Sequence, residues 1–396
     1  MWAGRQRCRI RRRAILIAVA AFAWAALAAQ NPQPPSPPAS QPSFAALAAQ
    51  AASARQSGDL SRAAGLYTQA LRLNSSWPDG WWYLGQMHYA ANEYAQAVDA
   101  FTHYLNLVPA AAPATALRGL CEFELGQYEP SLQDIRKALA LGAADDSRNT
   151  QILRYHEALL LTRLGRFEEA LTAFAYFAKQ RLSNDEMLVA VGLAALRMPQ
   201  LPADIAPPRR DELLLAGHAA YLLMSGDSDS ATDAFQRFFD RYPHAAGIHY
   251  SYGYLLYPTD QDAAIAQFQS EIAVDPSSAV AHTMLAWALL MEDEPAAALP
   301  VAKTAAAEAP RLPLAQLSLG RALLETGDVK SSLPILESTL ALDPDNLEVH
   351  IALARAYSEA GRAADARRQR LLCLQMTGRS AKPAPAMGQQ EEPPAN

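Results

Sequence analysis

Residues 78–109 read PDGWWYLGQMHYAANEYAQAVDAFTHYLNLVP, and the spacing inside this stretch decides the fold. It offers Trp81, Leu84-Gly85 and His88, a polar turn at Asn92-Glu93-Tyr94, then Ala97, Phe101, Tyr104-Leu105, Leu107 and a closing Pro109. Thirty-four residues on, Gly119, Gly126-Gln127-Tyr128, Ser131, Ile135, Ala138-Leu139 and Leu141 stand in the same phase. A further unit shows Ala158, Gly165-Arg166-Phe167, Ala170, Phe174 and Phe177, and a later one Ala219, Gly226-Asp227, Ala231, Phe235, Phe238 and Pro243. Toward the C-terminus the 34-residue step is strict: Ala286, Gly320 and Ala354 at one small position, and Ala298, Ser332 and Ala366 at the second. A fixed period of this length is the signature of a stacked repeat array. No stretch alternates apolar and polar residues as a half-buried strand would.

These residues resemble the tetratricopeptide repeat closely, over about residues 44–380. The resemblance implies an all-α fold: antiparallel helix pairs stacked into a right-handed superhelical solenoid. The small residues at the eighth and twentieth positions let two helices approach closely, and bulky residues between them fill the gap. Gly58, Gly126, Gly165, Gly226, Gly327 and Gly361 fall where the first helix of each unit must end, in a left-handed conformation.

The period slips in three places. Asp146 to Thr150 are inserted before the fourth unit, and the seventh unit is one residue short at its turn, Tyr257-Pro258-Thr259-Asp260. The fifth unit has a plausible first helix, Asp185 to Arg197. Its second is replaced by Met198-Pro199-Gln200-Leu201-Pro202 and Pro207-Pro208, each proline costing about 3 kcal/mol inside a helix. The expected organisation is an N-terminal block at 44–197, a proline-rich break at 198–211 and a C-terminal block at 212–380. Arg362 to Met376 serve as the capping helix that solenoids need.

The termini differ from the repeats. Arg5, Arg7, Arg9, Arg11, Arg12 and Arg13 precede an apolar run, Ala14 to Ala29, with small residues at its end. That is the layout of a secretory signal peptide, or of an uncleaved N-terminal anchor. It implies an exported protein of the periplasm or cell envelope. Residues 30–43 form a proline-rich linker tending to polyproline II, and 381–396 a second low-complexity tail. The net charge of −6 conceals an asymmetry. Residues 1–29 hold six of the 34 basic residues and no acid, so the remainder sets 28 basic against 40 acidic residues, a net −12. So acidic a body argues against sequence-independent nucleic-acid binding, which needs a basic face. Beyond Cys8 only Cys121 and Cys373 remain, too few and too far apart for a disulfide framework or zinc site.

Catalytic signatures are absent: no nucleophile elbow, no phosphate loop and no dinucleotide fingerprint. His156-Glu157 begins like a zinc-protease motif, but Leu160 stands where the second ligand belongs. His249, His282 and His350 share the fourth position of separate units and are expected to pack between helices. No catalytic residue, metal or cofactor is therefore expected.

The resemblance implies that the first helices line a concave groove, with the fifth, ninth and twelfth positions projecting into it. That places Trp82, Gln86, Tyr89, Tyr250, Tyr254, Trp287, Arg321 and Arg355 in the groove. Aromatic and arginine side chains dominate binding hot spots. Arg321 and Arg355, one repeat apart, suit an acidic peptide, while stacked aromatics suit sugar rings. The sequence thus points to a non-catalytic scaffold or adaptor that binds protein or peptide segments, with a glycan-handling or polysaccharide-export accessory role as the alternative. Contact with a membrane is expected only through an uncleaved N-terminal segment.

Overall fold

A computed structural model describes residues 42–142 and 147–380. The basic and apolar leader, most of the proline-rich linker and the 381–396 tail lie outside the described residues. Those residues form nineteen α-helices, joined mostly by short turns. Four antiparallel pairs come first: α1 (Phe44–Gln56) with α2 (Leu60–Leu73), α3 (Pro78–Ala90) with α4 (Tyr94–Leu107), α5 (Ala112–Glu124) with α6 (Tyr128–Ala140), and α7 (Ser147–Arg163) with α8 (Phe167–Lys179). A single helix, α9 (Asp185–Ala195), follows. Five more pairs complete the array: α10 (Arg210–Met224) with α11 (Ser228–Arg241), α12 (Ile248–Leu256) with α13 (Gln261–Val274), α14 (Ala279–Met291) with α15 (Pro295–Glu308), α16 (Pro313–Glu325) with α17 (Val329–Leu342), and α18 (Leu347–Glu359) with α19 (Ala363–Ser380). The result is the all-helical tetratricopeptide-type solenoid that the resemblance implies. Among the described residues no helix is long and apolar enough to cross a membrane.

The repeat chemistry acts at fixed positions. The six turn glycines take φ of 72 to 89°, and Asn92 (φ 58°) and Asp293 (φ 60°) fill the same place in units without glycine. After the glycine, Asp59, Asp227 and Asp328 cap the second helix by accepting a backbone N–H three residues on, at 3.1–3.2 Å, worth roughly 1 kcal/mol per cap. One core position of the second helix is nearly solvent-free in every unit that carries a large apolar residue there. Tyr67, Phe101, Ile135, Phe174, Phe235, Phe268 and Leu336 are all 0–1% exposed. The facing small position explains why these fit: a Cβ on Gly85 would stand 2.6 Å from the Phe101 ring. Where the second small residue is serine it also bonds. Ser131 Oγ donates to the Gly119 carbonyl and Ser332 Oγ to that of Gly320, both at 2.7 Å.

The inserted residues before the fourth unit behave as helix. Described from Ser147 onward, they lengthen α7 to 17 residues against 13 in α3 and α5.

Residues 198–209 contain no α-helix, only 3-10 turns at Pro202–Asp204 and Pro207–Arg209. The hydrophobic core does not stop there. One contiguous cluster runs from Leu132 on α6 to Tyr252 on α12. The proline-rich stretch therefore interrupts the helix period without dividing the packing. With its partner missing, α9 lies directly against α10, and Val189 through Ala195 are all buried. A helix apolar on every side is one surrounded by protein.

Four hydrogen bonds fix the corner that follows. Arg197, held at φ 54°, reaches Glu168 at 2.6 Å and lies over the rings of Phe167 and Tyr250, 4.9 and 4.5 Å from their centroids. Tyr250 donates its hydroxyl to the same Glu168 carboxylate at 2.8 Å. The buried Glu271 accepts the N–H groups of Gly247 and Tyr250 at 2.6 and 3.1 Å, capping the short α12. Helices α8, α9, α12 and α13 are thereby tied together across 82 residues of chain.

A second buried acid makes stability respond to pH. Glu122 on α5 is 7% exposed, and its Oε2 has no hydrogen-bond partner. The nearby Arg118 is engaged with both oxygens of Asp134 on α6, at 2.6 and 2.8 Å, and with Thr102 on α4. It stays 3.9 Å from Glu122. Burial first, and the Asp134 charge second, push the Glu122 carboxyl up from 4.5 to about 7 against the pull of Arg118. Folding thus takes up a proton. The contribution is complete below the ordinary carboxylate range and is lost as pH rises through about 7. Glu122→Gln is expected to match the parent near pH 4.5 and to exceed it by about 1–3 kcal/mol at pH 8 in urea unfolding. Parallel pH profiles for the two proteins would show that the carboxyl folds already charged.

Candidate functional site on the concave face

Trp82, Gln86 and Tyr89 fall at i, i+4 and i+7 of α3, which places them on one face. Pro78 starts the helix, where its missing N–H costs nothing. The three side chains line a single cavity of about 410 Å³. Its floor comes from Pro113, Ala116, Leu117 and Leu120 of α5, and its far wall from Asn149, Ile152 and Leu153 of α7. None of these side chains carries a charge. The wall depends on the additional turn of α7: Asn149 belongs to it, and Ile152, 40% exposed, sits just beyond it.

The aromatic walls are braced from behind. Trp82 lies 5.9 Å from the Phe101 ring and 5.5 Å from that of Tyr104, both on α4, while Tyr89 meets Tyr94 edge-on at 6.2 Å. Burial, followed by the charges of Cys121, Tyr94 and Glu124, raises the Tyr89 hydroxyl above its ordinary 10, so it stays a neutral donor. The neighbouring Trp81 is committed elsewhere: its indole N–H donates to the Ser75 carbonyl at 2.8 Å and its ring stacks on His103 at 4.2 Å. A second cavity, of about 340 Å³, lies across α7 and shares Ile152 with the first. It is lined by Tyr155, Phe177, Leu182 and Met187, among others.

The other expected groove residues are placed differently. Tyr250 is 4% exposed and spent on the Glu168–Arg197 corner, so it is core and not groove surface. A position that faces the groove in a straight array is covered here because α12 packs back toward α8. Tyr254 lines a separate cavity of about 290 Å³ with Arg136, Arg154, Glu157, Glu168 and Glu169, where Arg136 pairs with Glu157 and Glu169 at 2.8 and 2.9 Å. Arg321 and Arg355 do come together, around a cleft of about 120 Å³ that includes Glu325, Glu348 and Ile351. Yet Arg321 is held by Glu325 at 3.1 Å and approached by Glu348 at 4.0 Å, and Arg355 is paired with Glu359 at 2.9 Å. Their charge is answered within the chain, which removes the basis for an acidic-peptide clamp. Trp287 is covered by the Arg321 guanidinium, 5.2 Å above its ring.

The three in-phase histidines each meet the second helix of their own unit: His249 with Gln267 at 2.8 Å, His282 with Glu308 at 3.0 Å, and His350 with Gln369 at 2.6 Å. His156 engages the Ile152 carbonyl, and Glu157 the Arg136 side chain. Among the described residues no group of three His, Cys, Asp or Glu side chains is placed to hold a metal ion. Burial pushes the Cys121 thiol up to about 12, far from a reactive thiolate.

Sequence reasoning did not find Leu117, Leu120, Asn149, Ile152 and Leu153. The signal for Asn149 was the insertion before the fourth unit, read as an irregularity, whose residues from Ser147 on add a helical turn to α7.

Family models described as tetratricopeptide repeat match residues 48–113 and 323–369. Over 131 residues, 33% of this chain, the sequence is 29% identical to Protein CTR9 homolog of Arabidopsis thaliana, and the chain spans 12% of that relative's length. Among solved structures it is similar to a crystal structure of MamA protein, with 21% identity and a TM-score of 0.39 over 45% of this chain and 98% of that one. It is also similar to MamA 41-end from Desulfovibrio magneticus RS-1, with 18% identity and a TM-score of 0.39 over 43% of this chain and 97% of that one.

Proposed function

Because this chain belongs to the tetratricopeptide-repeat family, we propose that it is a non-catalytic scaffold of the bacterial cell envelope that holds a segment of a partner protein in the concave cavity around Trp82, Gln86 and Tyr89. The observation that supports this most is the cavity itself. Its volume of about 410 Å³ is in the range of sites that take a few side chains, with aromatic walls and two amides to orient a backbone. Its lining of aromatic rings, side-chain amides and apolar groups is of the kind that holds a segment. The envelope setting rests on the six arginines and the apolar run at residues 5–29. The glycan alternative draws on the same two aromatics, Trp82 and Tyr89. It loses Trp287, whose face is already occupied by Arg321.

A crosslinked pull-down from intact cells tests the reading. Trp82→Ala with Tyr89→Ala is expected to cut partner recovery at least tenfold, since each aromatic anchor contributes on the order of 2 kcal/mol. Arg321→Ala with Arg355→Ala should leave recovery unchanged. The reverse pattern would move the site to the C-terminal half.

A further inference from the structure

We propose that residues 31–42 of this chain are an intramolecular ligand of the Trp82–Tyr89 cavity, so that a partner must displace the chain's own proline-rich segment to bind. The proposal rests on the reading of that cavity as the binding site and adds what competes for it. Three observations carry it.

The first is charge. The cavity lining is uncharged although the chain beyond residue 29 carries a net −12. The segment Asn31-Pro32-Gln33-Pro34-Pro35-Ser36-Pro37-Pro38-Ala39-Ser40-Gln41-Pro42 is likewise uncharged. The other proline-rich stretch, 381–396, contains Lys382, Glu391 and Glu392 and follows the last helix, at the opposite end of the solenoid.

The second is spacing. Trp82 and Tyr89 are seven residues apart on one face of α3, about 10 Å at 1.5 Å per residue. Polyproline II places residues i and i+3 on one side, about 9 Å apart. The segment contains that step three times, as Pro32 with Pro35, Pro34 with Pro37, and Pro35 with Pro38. Aromatic-lined grooves are the general receptors for such segments. Gln86 stands between Trp82 and Tyr89 in the cavity lining, and its side-chain amide is a donor for a backbone carbonyl.

The third is reach. The segment joins the solenoid at Ser43, which caps α1. The first helices α1, α3, α5 and α7 run in the same direction, so their N-termini share one edge. Pro113 at the start of α5 and Asn149 near the start of α7 bring the cavity lining close to that edge. Neighbouring helices stand about 10 Å apart, which puts the cavity some 10–30 Å from α1. Twelve residues at about 3.1 Å each span roughly 37 Å.

The test uses the full chain and a fluorescein-labelled peptide of residues 30–43, followed by polarisation. The peptide is expected to bind a chain carrying Pro32→Ala, Pro34→Ala, Pro35→Ala, Pro37→Ala and Pro38→Ala about tenfold or more tighter than it binds the parent, whose own segment competes at high effective concentration. Adding Trp82→Ala and Tyr89→Ala to the proline-substituted chain should abolish binding while leaving the helical circular dichroism unchanged. Equal affinity for the parent and the proline-substituted chain, or no binding to either, overturns the proposal. Competition in the parent that strengthens with protein concentration also overturns it, by assigning the segment to a second copy. If the peptide fails to bind while Trp82→Ala with Tyr89→Ala still abolishes partner recovery, the cavity stands as the binding site and only this inference falls. If those two substitutions leave partner recovery intact, the reading of the cavity itself falls.

Discussion

Gly217→Ala is expected to destabilise the protein by about 2 kcal/mol, a large effect for one methyl group. Helices α9 and α10 meet backbone to backbone. A Cβ on Gly217 would land on the carbonyl oxygen of Leu188, and one on Gly192 on the carbonyl of Leu213. Neither obstacle is the end of a flexible side chain, so one helix must move, and both are buried in the continuous core. Overpacking of this kind costs typically about 1–3 kcal/mol, and a backbone obstacle puts this site at the top of that range. Helix propensity works the other way by about 1 kcal/mol, and Gly65→Ala isolates it. Gly65 lies inside α2 with open space where a Cβ would go, so that variant should gain up to about 1 kcal/mol. Urea unfolding of both variants checks the pair. A Gly217→Ala protein as stable as the parent would mean that α9 and α10 are further apart than described.

Glu168→Ala should cost about 2–4 kcal/mol. Arg197 and Tyr250 both depend on that carboxylate, and removing it leaves a guanidinium and a hydroxyl partly buried without their acceptor. The ion pair is only 20–30% exposed, so solvent does little to replace it. Burial alone would raise the Glu168 carboxyl; the charge and hydrogen bond of Arg197, with the Tyr250 hydroxyl, outweigh it and hold the group below its usual range. The stabilisation is therefore present above the ordinary carboxylate pKa and is lost as pH falls through the lower folded value. Tyr250→Phe removes one bond and keeps the ion pair, for about 1 kcal/mol. A double-mutant cycle between the two positions should return a coupling of about 0.5–3 kcal/mol. Strict additivity would show that Tyr250 packs at the corner without sharing the carboxylate.

The same corner explains which parts of the molecule were legible in the sequence. The 34-residue step fixed helix pairing, turn glycines and core aromatics, because each unit solves the same packing problem with the same residues. Trp82, Gln86 and Tyr89 line one cavity, because α3 sits in a regular run of units where a repeat position has a constant environment. Tyr250 occupies an equivalent position but lies one full helix pair beyond the unit that lacks its second helix, and its surroundings are set by Glu168, 82 residues earlier. No local pattern reports that contact. The unbroken apolar run Leu188–Leu196 did carry a signal: a helix with no polar face must be covered all round, and α10 is what covers it. Arg321 and Arg355 line one cleft, but their acids at Glu325 and Glu359, one turn along the same helices, were visible in the sequence too and answer the charge.

The central claim is that recognition resides in the N-terminal half of the concave face. Site-specific photocrosslinking in intact cells tests it most directly, with a benzophenone side chain at position 86 in one protein and at position 351, in the cleft beside Arg321 and Arg355, in another. The account predicts a discrete crosslinked partner from position 86, lost when Trp82→Ala is added, and none from position 351. A partner crosslinked from 351 and not from 86 would contradict it.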